Sequence, residues 1–120
     1  MWSYEKRLQF PVNIKEPNAK LAQVIISQYG GPDGEMGASM RYLSQRFSMP
    51  NRKIMGVLND IGTEELAHLE IVSTIVHQLT RGLSVEEIEK SGLAPYYVDH
   101  TVGIWPQAAG GIPFNACEFQ

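Results

Sequence analysis

The sequence predicts an all-α chain built on one long antiparallel two-helix hairpin. Three observations carry that prediction. Apolar positions recur at alternating spacings of three and four residues through Leu58, Ile61, Val72, Ile75 and Leu79, which is the stripe of a buried helix face. A second helical stretch, Met36, Met40, Leu43 and Phe47, precedes it, and Met49-Pro50-Asn51 divides the two. Helix start and stop signals then fall where the periodicity begins and ends.

The chain opens with residues 1–17, where Trp2, Tyr4, Leu8, Phe10, Val12 and Ile14 lie mostly two apart and Pro11 and Pro17 oppose a helix. This predicts an extended strap lying across another part of the molecule or across another subunit. Asn18 then serves as N-cap for a first helix continued by Leu21, Val24, Ile25 and Gln28. The run Gly30-Gly31-Pro32-Asp33-Gly34 reads as a break, because Pro32 has no N–H and its ring opposes the carbonyl four residues back. Helical spacing resumes at Met36 and ends before Pro50. The long second helix is expected from about Arg52 to Arg81, with Gly82 as its C′ stop. Ser84 and Glu87 form a capping box for a short helix closed by Gly92. Residues 93–120, with Pro95, Pro106, Gly110, Gly111 and Pro113, read as an irregular tail. The organisation expected is therefore one domain over 1–120: strap 1–17, helical hairpin 18–81, then a short helix and tail over 82–120.

Bulk properties narrow the function. With 43% hydrophobic and 19% charged residues the chain reads as globular and not disordered. A net charge of -3 with scattered Lys and Arg gives no electrostatic hold for nucleic acid. No run approaches the roughly 20 apolar residues of a membrane span, so no membrane partner is expected. Met1 to Pro11 contains Glu5, Lys6 and Arg7 and lacks the apolar core of a signal peptide. Cys117 is the single cysteine, which excludes an internal disulfide and suits cytoplasmic synthesis in a reducing setting.

Two ionisable residues interrupt the apolar seam of the long helix. Glu65 and His68 stand where Leu or Ile belongs, three residues apart and so on nearly the same face. Burial of both without a partner is costly, and a divalent cation would supply the missing charge. Glu-x-x-His on an inward face is the device of dimetal-carboxylate four-helix bundles, in which two helices give this pair and two give a single Glu. Oxygen ligands with one imidazole per ion suit manganese or iron better than zinc. The alternative is a surface Glu beside a partly buried His. Glu35 is the candidate single carboxylate. It precedes the Pro50 turn by about 15 residues and Glu65 follows it by about as many, so equal helical arms bring the two level. The alternative for Glu35 is simple preference for a helix N-terminus. Tyr42, two turns on from Glu35, is either a hydrogen-bond partner of a ligand or a core tyrosine. Glu64, Glu70 and His77 are expected at the surface, and His100 has no paired ligand nearby. No phosphate-binding loop, dinucleotide fingerprint or nucleophile elbow is present.

At these residues the chain resembles the manganese catalases. Gln28-Tyr29-Gly30-Gly31-Pro32-Asp33-Gly34-Glu35 with Met40-Arg41-Tyr42-Leu43 is similar to their first ligand helix. Asp60-Ile61-Gly62-Thr63-Glu64-Glu65-Leu66-Ala67-His68-Leu69-Glu70 is similar to their second, and the opening Met1-Trp2-Ser3-Tyr4 resembles the short spore-coat branch. The resemblance implies half of a ferritin-like four-helix bundle, the further helices following those seen in this chain. It implies Glu35 as a terminal ligand, Glu65 as the bridge between two manganese ions, and His68 on the same ion as Glu35. Tyr42 would be the hydrogen-bonding neighbour of this set, giving Glu65 and Tyr42 catalytic parts. It further implies hydrogen peroxide as substrate, a homo-oligomer, and a place in the spore coat among other coat proteins. A non-catalytic coat protein and a ferritin-like iron binder remain the alternatives. The family's first helix runs through the Gly-Gly segment, so a kinked continuous helix competes with the local reading of a break.

Overall fold

A computed structural model of the chain describes residues 3–30 and 33–96. Among these residues every regular element is helical: α1 (Ala19–Ile25), α2 (Glu35–Gln45), α3 (Arg52–Thr80) and α4 (Val85–Ser91), with three short 3-10 turns. The all-α fold and its antiparallel hairpin are as the sequence predicts.

Three of the four helices start where the chain offers a polar side-chain cap, α2 being the exception. Asn18 accepts from the Leu21 amide and Asn51 from the Ile54 amide, each satisfying one of the donors that a helix N-terminus leaves open. Ser84 and Glu87 cap each other reciprocally before α4, and the backbone and hydroxyl donors of Ser84 hold the Glu87 carboxyl below its usual range. The C-terminal end of α4 is a Schellman turn. Gly92 takes positive φ and the Leu93 amide reaches back to the Ile88 carbonyl. That turn drives Leu93 into the core beside Ala22 and Leu79, where all three are essentially inaccessible.

Gly82 stands at C′ of α3 with positive φ, as expected, although the turn around it is not a Schellman turn. Arg81 is already extended, Gly82 follows at positive φ, and the Leu83 amide bonds to Thr80. This is the pattern of a type II turn, with glycine at its second central position.

α1 and α2 both run antiparallel to α3 and share one register. Ala22 meets Leu79 and Ser39 meets Gly62, so the two residue numbers add to 101 on either side of the Gly-Gly break. The Met36 amide bonds to the Tyr29 carbonyl across it. The described residues thus form two helices in line, and the ladder against α3 loses no register at the interruption.

The strap packs on its own chain. Gln78 donates to the Val12 carbonyl and accepts from the Ile14 amide, while Arg81 donates to the carbonyls of Ile14 and Lys15. Gln9 reaches Glu64 further up the helix, so the strap runs parallel to α3. The Val12, Ile14 and Lys15 backbone groups thus find partners in the Gln78 and Arg81 side chains, in place of the sheet partner that an extended segment lacks.

The core lies at the α1 end. Ala22, Leu79 and Leu93 form one cluster and Ile26, Val72 and Val76 a second. Towards the Pro50 turn the same hairpin leaves Met40 63% and Ile61 38% exposed, so its apolar seam is covered over one half only.

Candidate metal centre

The three residues singled out on the two ligand helices converge. One ligand atom each from Glu35, Glu65 and His68 lies within 4.8 Å of the others, the only such group of three found among the described residues. Glu35 is the first residue of α2, placed there by the backbone of Gly34, which starts the helix without a side-chain cap. Glu65 and His68 project from one face near the middle of α3. The equal-arm argument therefore holds in three dimensions, because antiparallel helices joined by a short turn bring equidistant residues level.

His68 turns its Nδ1 to the carboxylates, 2.7 Å from Glu65 Oε2 and 3.6 Å from Glu35 Oε2. The three side chains are 13% (Glu65), 25% (Glu35) and 38% (His68) exposed. Glu65 is thus the most covered member of the cluster and His68 the most exposed. Burial pushes the Glu35 carboxyl up, and the hydrogen bond and negative charge of Glu65 add to this, while His68 partly offsets it. Two carboxylates facing each other in partial burial share too few positive partners. The site is short of a cation, and the donor set is the hard-oxygen-plus-imidazole type that manganese or iron takes.

Other candidate residues stand apart. Tyr42 is half-buried on α2, and among the described residues no hydrogen bond joins it to the three. Glu64 is exposed and accepts from Gln9. His77 is exposed as expected, whereas Glu70 is half-buried beside the strap, where it lines a cavity of about 850 Å³ with Tyr4, Leu8 and Leu66. His100 and Cys117 lie outside the described residues.

Sequence reasoning missed two residues one turn from the cluster. Ser39, four residues after Glu35, is 3% exposed, and its hydroxyl donates to the Gly62 carbonyl at 2.7 Å. Gly62, three residues before Glu65, is buried against Leu43. The available signal was a pair of small residues on the inward faces beside the ligands, where close helix approach is possible only without bulk. Tyr29 was also missed as a buried group. Burial raises its phenol, and a hydrogen bond with Ser73 partly offsets that.

Comparison with known proteins agrees with the fold. The family model described as "Manganese containing catalase" matches residues 1–117. Protein CotJC of Bacillus subtilis is 47% identical over 120 residues, covering 100% of this chain and 63% of that protein. A probable manganese catalase of Clostridium acetobutylicum is 34% identical over 116 residues, covering 88% of this chain and 52% of the relative. The crystal structure of KatB, a manganese catalase from Anabaena, superposes with a TM-score of 0.71 at 30% identity, covering 93% of this chain and 53% of that one. The chain therefore spans between about half and two thirds of the length of these proteins.

Proposed function

This chain belongs to the manganese-containing catalase family, and we propose that Glu35, Glu65 and His68 are its share of a dimanganese-carboxylate centre disproportionating hydrogen peroxide to water and dioxygen. The observation that carries the proposal is the convergence of these three side chains from two helices. Glu35 and His68 would hold one ion, and Glu65, with two carboxylate oxygens, would bridge to the second. When bound, the ion pair supplies two-electron exchange with peroxide.

The chain's own contribution is positional and protonic. Glu65 is the most covered of the three, so its carboxylate is held by packing before metal enters. His68 presents the Nδ1 lone pair inward when its proton resides on Nε2, the tautomer that ligation requires. Glu35 must be ionised to bind an ion, and since its surroundings favour the neutral carboxyl, metal uptake weakens as pH falls through its titration. Tyr42 stands on the same helix as Glu35 and offers a hydroxyl that could hold a proton near the site.

We assign the protein to the spore coat after cytoplasmic synthesis, with other coat proteins as neighbours, on the similarity of its sequence to the spore-coat branch. A second reading is a coat protein that keeps the fold without turnover. It is favoured by the direct 2.7 Å contact of His68 Nδ1 with Glu65, which lets the two side chains satisfy one another. Iron would satisfy the same donors.

Elemental analysis after manganese loading and dialysis, run beside an oxygen-electrode assay with peroxide, tests these readings. Glu65→Ala and His68→Ala are expected to lower bound manganese by roughly ten-fold or more, whereas Glu64→Ala leaves it unchanged. Equal manganese in Glu65→Ala and the wild type removes the site assignment. Metal retained without oxygen release selects the coat-protein reading, and preferential retention of iron selects an iron binder.

A further inference from the structure

The triad depends on how far apart α2 and α3 stand where its members meet, and one buried contact controls that distance. Ser39 and Gly62 lie one turn from the ligands on their respective helices, and Ser39 Oγ donates to the Gly62 carbonyl at 2.7 Å. This bond is a buried side-chain tie between α2 and α3. Further towards the Pro50 turn the helices are joined by Arg46 and Asn59, which are only partly buried. The approach at Gly62 is close: a Cβ there would lie 2.9 Å from Leu43 Cγ and 3.2 Å from the Leu43 amide nitrogen. A methyl group could be admitted only by moving the Leu43 side chain and easing the helices apart.

We propose that Ser39, seated on the Gly62 carbonyl, is a positioning residue that sets the separation of Glu35 from Glu65 and His68 and hence the affinity of the triad for a divalent cation. The inference rests on the reading of the triad as a metal site. The physical basis is leverage. Glu35 and Ser39 share one face of α2, Gly62 and Glu65 share one face of α3, and each pair is about one turn apart, roughly 5 Å along the axis. A few tenths of an ångström of separation at Ser39–Gly62 is therefore passed almost undiminished to the carboxylates. Carboxylate–metal distances tolerate only about 0.2 Å before affinity falls. Ser39 itself touches no metal and acts through the helix pair.

The test uses the full chain with manganese(II) as probe. Binding is read by calorimetric titration and by the electron paramagnetic resonance spectrum of the bound ion at saturation, for the wild type, Ser39→Ala, Gly62→Ala and Glu65→Ala. Ser39→Ala is expected to weaken binding about ten-fold, the lower range for groups that orient metal ligands. It is also expected to change the saturated spectrum, because the ligand geometry relaxes. Gly62→Ala approaches the same tie from the other helix. It keeps the Ser39 hydroxyl but crowds Leu43, so the folded fraction of each variant is measured by circular dichroism and affinity is compared per folded molecule. A merely structural role for Ser39 would lower the folded fraction and leave the saturated spectrum of the folded molecules as in the wild type. Wild-type affinity and spectrum in both Ser39→Ala and Gly62→Ala, with binding abolished in Glu65→Ala, overturns the positioning role and leaves the metal site standing. Equal manganese uptake by the wild type and Glu65→Ala overturns both.

Discussion

At Glu65 a carboxylate occupies a seam position that packing alone would give to leucine, and the metal-free molecule bears the cost. The side chain is 13% exposed and held by His68 at 2.7 Å, with Glu35 adding negative charge alongside. Removing the Glu65 carboxylate relieves its desolvation and its repulsion with Glu35, and the imidazole it leaves behind is 38% exposed and can turn to solvent. Metal-free Glu65→Leu is therefore expected to melt at or above the metal-free wild type. Saturating manganese reverses the order, because a ligand at 100 times its dissociation constant stabilises by about 2.7 kcal/mol. Thermal melts of both proteins with and without manganese check this. A metal-free wild type melting clearly above the leucine variant would show that Glu65 is not penalised by its surroundings.

At the scale of elements, α3 has two halves with different work. Its C-terminal half is a packing surface: Val72, Val76 and Leu79 face α1, and Leu93 is carried in by the turn after α4. Its N-terminal half meets α2 at Gly62 and leaves Ile61 partly bare. Leu79→Ala should cost about 2–5 kcal/mol, as for other fully buried leucines, whereas Ile61→Ala should cost less than about 1 kcal/mol because little contact is lost. Urea titrations of the two variants discriminate, and equal losses would mean that the open half of the seam is covered. Val72 is buried against Ile26, because α1 and the turn that follows it continue the line of α2 and cover that stretch of α3.

For the whole molecule, the hairpin leaves Met40 and Ile61 exposed and Glu35, Glu65 and His68 only partly covered, and exposed apolar surface seeks cover. A second copy related by a two-fold axis would bring another Glu35, Glu65 and His68, which together make the ligand complement of a dimetal bundle. Native mass spectrometry of the chain with manganese is expected to show a dimer with two ions. A monomer that carries no metal, or a dimer whose manganese content is unchanged by Glu65→Ala, would count against association through this face.

Local chemistry accounts for the helices, for the caps of α1, α3 and α4, and for the meeting of Glu35, Glu65 and His68. Asn18, Asn51 and the Ser84–Glu87 box act within a few residues of themselves. The seam is a periodic signal, and the levelling of Glu35 with Glu65 is arithmetic on two helical arms of equal length. The tertiary structure alone decided what depends on contacts distant in the chain. It laid the strap along α3 through Gln78 and Arg81, put Gly82 in a turn, and held α1 and α2 in one register across the break. It also brought Ser39 onto Gly62, a contact between two small residues that carry no periodic or charge signal. Their importance comes from the distance between two helix axes, and that distance is a property of the packed pair.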